Sequence, residues 1–310
     1  MPLKQATMPE VSNLFAMQIL LLTLILVGLL CVKIKIIDGH TRSALSELIL
    51  NVFLPCNILS SFLGKDASKL PSLLLILALS AGLLILCFFL SKLFYGRFGA
   101  EQKKVLLYAT IISNATFLGN PVIESIYGFD ALIYSAAYLL PLRVTVWSLG
   151  LAIFSGAKGN IRSIVFHPCL VATYLGFAVM FTGFHVPEIF SRIIFSLGNC
   201  TTPLSMMLVG SVLGLIEPKK IVTGVVFYYS AIRLILIPLF MLGIMFLIKP
   251  EPIVAGVTVI LSGTPAPVTT SILAGKYKSD NELASRIIFV STLLSIVTIP
   301  ALSGLLQRLM

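Results

Sequence analysis

Arg143 and Arg233 each stand roughly twelve residues into a long apolar run, which is about 18 Å along a helix at 1.5 Å per residue. A fixed cation at that depth is costly and faces a bundle interior or water. Its chemistry would be to contact an acidic ligand or to stand in for a coupling cation. The bland alternative for each is a structural arginine bonded to backbone carbonyls or snorkelling. Amides and hydroxyls gather at two further places. Asn114 and Asn120 lie within Ser113-Asn-Ala-Thr-Phe-Leu-Gly-Asn-Pro121, Thr264 lies within Ser262-Gly-Thr-Pro-Ala-Pro267, and Thr269, Thr270 and Ser271 follow that second segment. Gly119, Pro121, Gly263, Pro265 and Pro267 break the helical hydrogen-bond ladder there. Each restarting half-helix then offers unpaired N–H groups and a positive dipole end, which favours an anionic group such as a carboxylate. The alternative is that these polar side chains only knit neighbouring helices together.

Carboxylates are the informative absence. Asp38, Asp66, Asp130 and Asp280 fall between apolar runs, Glu47 lies about one turn inside the second run, and Glu124 follows the first break. Paired aspartates of a proton antiporter are therefore not indicated, nor are carboxylate-built sodium sites. Hydrolytic machinery is also missing: His40, His167 and His185 stand at loops or helix ends, there is no HExxH, and Ser262-Gly lacks a deep histidine. The five cysteines are odd in number and lack a CxxC pair, so neither a disulfide framework nor a metal site is expected. No cofactor is expected.

The elements that must position these groups are membrane helices. The chain is 58% apolar and 11% charged, with a mean hydropathy of +1.04. A soluble domain would be about a quarter charged. Ten apolar runs approach the ~20 residues that span hydrocarbon: 13–32, 43–63, 71–91, 105–127, 131–155, 166–183, 188–213, 221–248, 252–274 and 284–306. The first is too long for a signal h-region, and its basic residues Lys33 and Lys35 follow rather than precede it.

Basic residues follow the odd-numbered runs: Lys33, Lys35 and Arg42; Lys92, Arg97, Lys103 and Lys104; Lys158 and Arg162; Lys219 and Lys220; Lys276, Lys278 and Arg286. The opposite side has Lys4, Lys65, Lys69, Arg192, Lys249 and Arg308. The positive-inside rule then predicts a cytoplasmic-membrane protein with both termini outside. The formal charge of +10 is mostly this bias, and no basic patch suggests nucleic acid.

The halves repeat. Asn51-Val-Phe-Leu-Pro55 in the second run matches Asn199-Cys-Thr-Thr-Pro203 in the seventh, and the broken segments lie in the fourth and ninth. An offset of five spans is odd, so the repeat must be inverted in the membrane. Paired broken helices meeting near the midplane are a recurrent plan of secondary transporters. The expected fold is an all-α polytopic membrane protein of ten helices in two inverted five-helix repeats, residues 1–155 and 156–310, with broken crossing helices 4 and 9.

Asn114-Ala-Thr-Phe-Leu-Gly119-Asn-Pro121 resembles the auxin efflux carrier family. So do Pro265-Ala-Pro-Val-Thr-Thr-Ser-Ile-Leu-Ala274-Gly-Lys-Tyr277, Ile288-Phe289, Ile299-Pro300, Phe53-Leu-Pro55 and Pro203-Leu with Gly210. The likeness covers essentially the whole chain, with short loops as in bacterial members. It implies a fold related to bile-acid symporters and sodium/proton antiporters. It also implies a scaffold of spans 1, 2, 6 and 7, often dimeric, and a transport bundle of spans 3–5 and 8–10 moving like an elevator. Family substrates are organic anions: auxin in plants, and malate, malonate or similar acids in bacterial relatives. By position, Asn114 and Pro121 would line one crossing arm and Pro265 the other, with Asn51, Pro55 and Asn57 facing them from the scaffold. One departure is that Ser72 to Ser91 carries no Asp, Glu, Lys, Arg or His.

The sequence thus predicts a secondary-type carrier of a small organic anion, working in the lipid bilayer as a homodimer. The carboxylate would rest near Asn114, Asn120 and Thr269–Ser271, with Arg143 or Arg233 supplying positive potential. The alternatives are a sodium-coupled symporter of a larger amphipathic anion and, in a different class, a membrane sensor.

Overall fold

The computed structural model describes residues 11–64, 67–155, 166–214 and 223–309. Lys4, Lys65, Lys158, Arg162, Lys219 and Lys220 of the charge pattern, and Asp66, lie outside them. The described residues are helical and contain no strand. The helices are α1 (Val11–Lys33), α2 (Gly39–Phe62), α3 (Leu70–Phe94), α4a (Ala100–Ile111), α4b (Asn120–Tyr127) and α5 (Phe129–Phe154). After these come α6 (Pro168–Thr182), α7 (Glu188–Leu213), α8 (Gly224–Ile248), α9a (Pro252–Ser262), α9b (Thr269–Lys276) and α10 (Asn281–Leu309).

Among the described residues seven segments are long and apolar enough to cross a membrane: α2, α3, the stretch Ala100–Tyr127, α5, α7, α8 and α10. Shorter apolar helices cover Ile19–Lys33, Pro168–Thr182 and Pro252–Ser262. Their ends are set by local chemistry. Asp38 caps α2 by accepting the Thr41 N–H at 2.7 Å, which holds its carboxyl below the usual range. Pro168 and Pro252 begin α6 and α9a at the position where a missing N–H costs nothing.

Prolines also shape the helix interiors. Three π turns close with an N–H reaching five residues back: Leu54 to Ile49, Asn120 to Ala115 and Ile237 to Ile232. In each, the next residue is proline (Pro55, Pro121 or Pro238). Proline lacks the N–H and crowds the carbonyl four residues back, and the wider turn relieves that crowding. A fourth π turn, Val146–Gly150, follows Pro141 in α5. In α7 the helix is interrupted at Cys200, three residues before Pro203.

Packing falls into two sets. α1 lies along the second half of α7, and the end of α2 packs on α6 and on the first half of α7. A Cβ at Gly28 would meet the Met207 carbonyl at 2.0 Å, and one at Gly210 the Ile25 carbonyl at 1.9 Å, so the α1–α7 approach requires both glycines. In the other set, α3 packs on α5 and α4a, α8 on α9a and α10, and α9b on α10.

Candidate functional site

The two interruptions meet. α4a ends at Ile111 and the chain re-enters helix at Ala115; α9a ends at Ser262 and re-enters at Thr269. Between them the Asn114 N–H donates to the Pro265 carbonyl at 2.8 Å. A Cβ at Gly119 would stand 2.6 Å from Leu261 Cδ2 and 3.2 Å from Thr264 Cγ2, so a larger residue there would displace the side chains of the second segment. The Ala266 N–H donates to Ser291 Oγ of α10 at 3.1 Å. Backbone groups freed by the breaks are thus met by protein, as burial away from water demands.

Beside this meeting point is a pocket of ≈ 80 Å³. Asn114, Thr116 and Phe117 line it from the first break, and Pro267, Val268 and Thr269 from the second. Arg143 and Val146 of α5, Leu50 and Leu54 of α2, and His167 and Cys169 at the start of α6 also line it.

The pocket's polar groups are unusually idle. Arg143 is 6% exposed, and neither of its terminal nitrogens has a hydrogen-bond partner among the described residues. Asn114 is 2% exposed with both Oδ1 and Nδ2 unpartnered. A buried guanidinium without a counter-charge is costly by several kcal/mol. A ligand that brings an anion and a hydrogen-bonding group would remove both deficits. Thr269 Oγ1 is engaged, sharing a hydrogen bond with Tyr108 Oη at 2.8 Å.

The other predicted site residues sit elsewhere. Asn120 Oδ1 accepts from Ser135 Oγ, and Pro121 opens α4b behind it. Thr264 Oγ1 donates to the Leu261 carbonyl at 2.8 Å, and Pro265 offers its carbonyl to Asn114. Thr270 is buried with its hydroxyl unpartnered, outside the pocket wall, and Ser271 Oγ donates to the Val268 carbonyl at 3.1 Å. Asn51 is exposed, and Asn57 Nδ2 reaches the Gly198 carbonyl of α7 at 3.4 Å. Arg233 is 2% exposed and bonded to the carbonyls of Thr264 and Thr110 at 3.0 and 3.2 Å. Of the predicted set, the pocket therefore gathers Asn114, Arg143, Pro267 and Thr269. Glu124 meets Thr202, whose Oγ1 donates to its Oε2 at 2.8 Å.

The sequence reading missed Leu50, Leu54, Thr116, Phe117, Val146, His167 and Cys169. The prolines were the available signal: the turns tied to Pro55, Pro121 and Pro141 each contribute lining residues. Among the described residues no group of three or more His, Cys, Asp or Glu could hold a metal ion.

Among the described residues, helices throughout and seven membrane-length segments define a multi-pass membrane protein. Comparison with known proteins narrows this. Residues 15–303 match the family described as membrane transport protein. The chain is 29% identical over 292 residues to an uncharacterized transporter of Methanothermobacter thermautotrophicus, covering 92% of this chain and 96% of that protein. It is 25% identical over 301 residues to an uncharacterized transporter of Methanocaldococcus jannaschii, covering 91% and 95%. A "Putative malonate transporter" of Rhizobium meliloti is 30% identical over 152 residues, 49% of this chain and 47% of that protein. The chain belongs to the membrane transport family, the auxin efflux carrier family that its motifs resemble.

Proposed function

We propose that this transporter carries a small organic anion, and that its carboxylate binds in the pocket between Arg143 and Asn114. The observation carrying this reading is the buried Arg143 fork with both terminal nitrogens unpartnered among the described residues, lining the same pocket as an equally unpartnered amide, that of Asn114. A guanidinium fork matches a carboxylate in bidentate geometry. The small pocket volume favours a short acid, and the partial likeness to the malonate-named relative agrees with that class.

The architecture proposed for this task is ten helices in two inverted repeats, 1–155 and 156–310, with interrupted crossing helices 4 and 9. Matching interruptions at 112–114 and 263–268, and helix disturbances tied to Pro55 and Pro203, support it. The two packing sets correspond to a scaffold (α1, α2, α6, α7) and a transport bundle (α3–α5, α8–α10). The pocket lies between them, since Leu50, Leu54, His167 and Cys169 come from the first set and Arg143 and the crossing from the second. A site shared in this way would change sides if the bundle slid against the scaffold. With both termini outside, the start of α6 lies toward the cytoplasm and the pocket faces that side. Pairing of two scaffolds gives the proposed homodimer in the cytoplasmic membrane.

The test is counterflow of labelled malonate, succinate and acetate in proteoliposomes of purified protein. Saturable exchange of at least one acid supports the proposal. Absence of exchange with all three, in protein that retains its helical spectrum, would sink it.

A further inference from the structure

Arg233 contributes nothing to the pocket wall, yet it is 2% exposed and engaged. Its Nε donates to the Thr264 carbonyl and its Nη1 to the Thr110 carbonyl. Thr110 lies in the last turn of α4a, and Thr264 is two residues past the end of α9a. Two helices from opposite halves of the chain therefore end on one guanidinium. A helix C-terminus leaves carbonyls without intrahelical partners and carries about half a negative charge, so two such ends match about one cation. Neighbouring hydroxyls complete the arrangement. Tyr229 Oη donates to the Ala109 carbonyl at 2.8 Å, and Tyr95 Oη pairs with Thr110 Oγ1 at 2.9 Å. Among the described residues Arg233 makes no ion pair, so the helix ends are its counter-charge.

Resting on the anion reading of the pocket, we propose that Arg233 is the resident cation of the crossing. It fills the position where two converging carbonyl ends would otherwise hold a free metal cation, and anion binding consequently needs no sodium or other metal ion. The connection to the pocket is short. The carbonyl held by Arg233 belongs to Thr264; the next residue, Pro265, accepts the Asn114 N–H, and Asn114 lines the pocket. Arg233 is thus a positioning residue that orders Asn114 through the second break.

The experiment measures malonate and succinate binding to the purified full-length protein by calorimetry, in sodium buffer and in choline buffer. The wild type is expected to bind with the same affinity in both. Arg233→Ala is expected to bind roughly tenfold or more weakly, the scale of losing a charged hydrogen bond. Millimolar guanidinium should restore most of that loss while leaving the wild type unchanged, and Arg233→Lys should retain part of the affinity. A sodium requirement in the wild type would overturn the proposal even if Arg233→Ala does not fold. So would a folded Arg233→Ala that binds as the wild type does, or that guanidinium fails to rescue. If the wild type binds neither acid in either buffer, the anion reading of the pocket fails, and this inference with it.

Discussion

Arg143 and Arg233 make the same kind of intrusion into the membrane and meet opposite fates. Arg233 is held by two backbone carbonyls at the junction of the breaks. Arg143, about as buried, has terminal nitrogens that touch no acceptor among the described residues. The same contrast recurs in the amides: Asn120 is tied to Ser135, and Asn114 is left with its whole amide unpaired. Satisfied polar groups inside a low-dielectric interior fix a structure, whereas unsatisfied ones cost stability until something binds. The difference separates the frame of the two interruptions from the proposed binding surface within a few residues.

Four substitutions probe that separation. Arg143→Gln should have the largest effect on binding, because truncating one partner of a buried charge pair costs about 2–5 kcal/mol. Calorimetry should show carboxylate affinity reduced roughly thirtyfold or more, with a melting temperature equal to or above that of the wild type because an unpaired charge has been removed. Arg233→Met should do the reverse in the melt. It removes two charge-assisted bonds worth about 1.5–3 kcal/mol each, so thermal unfolding should fall by several degrees, with ligand or without. Asn114→Ala should weaken the acid by roughly tenfold, about 1.4 kcal/mol, and leave unliganded stability nearly unchanged. Asn120→Ala should cost about 1 kcal/mol of stability through the orphaned Ser135 hydroxyl and leave affinity close to that of the wild type. Equal loss of affinity in Asn114→Ala and Asn120→Ala would erase the proposed boundary between frame and surface.

Much of this arrangement was readable in the residues. Gly119, Pro121, Gly263, Pro265 and Pro267 announce interruptions because backbone rules leave few alternatives at membrane depth. Both arginines announce themselves by cost. Their division of labour does not, since the acceptors of Arg233 lie 31 and 123 residues away along the chain and are backbone carbonyls without a residue-type signature. Asn51 and Asn57 illustrate a second limit. Both are polar residues near Pro55, but the π turn and the α2–α7 contact leave one exposed and turn the other to Gly198, while the apolar Leu50 and Leu54 line the pocket. His167 and Cys169 could not be assigned from sequence because they enter through the packing of α6 against α2, a contact between elements more than a hundred residues apart.

The central claim is that Arg143 is an unfilled carboxylate receptor rather than part of the frame. The most direct measurement is the ligand-induced thermal shift of purified wild type and Arg143→Gln, side by side, across malonate, succinate and acetate. The account predicts that at least one acid stabilises the wild type, and that none shifts a folded Arg143→Gln protein of equal or greater intrinsic stability. An equal shift in the two proteins would contradict it.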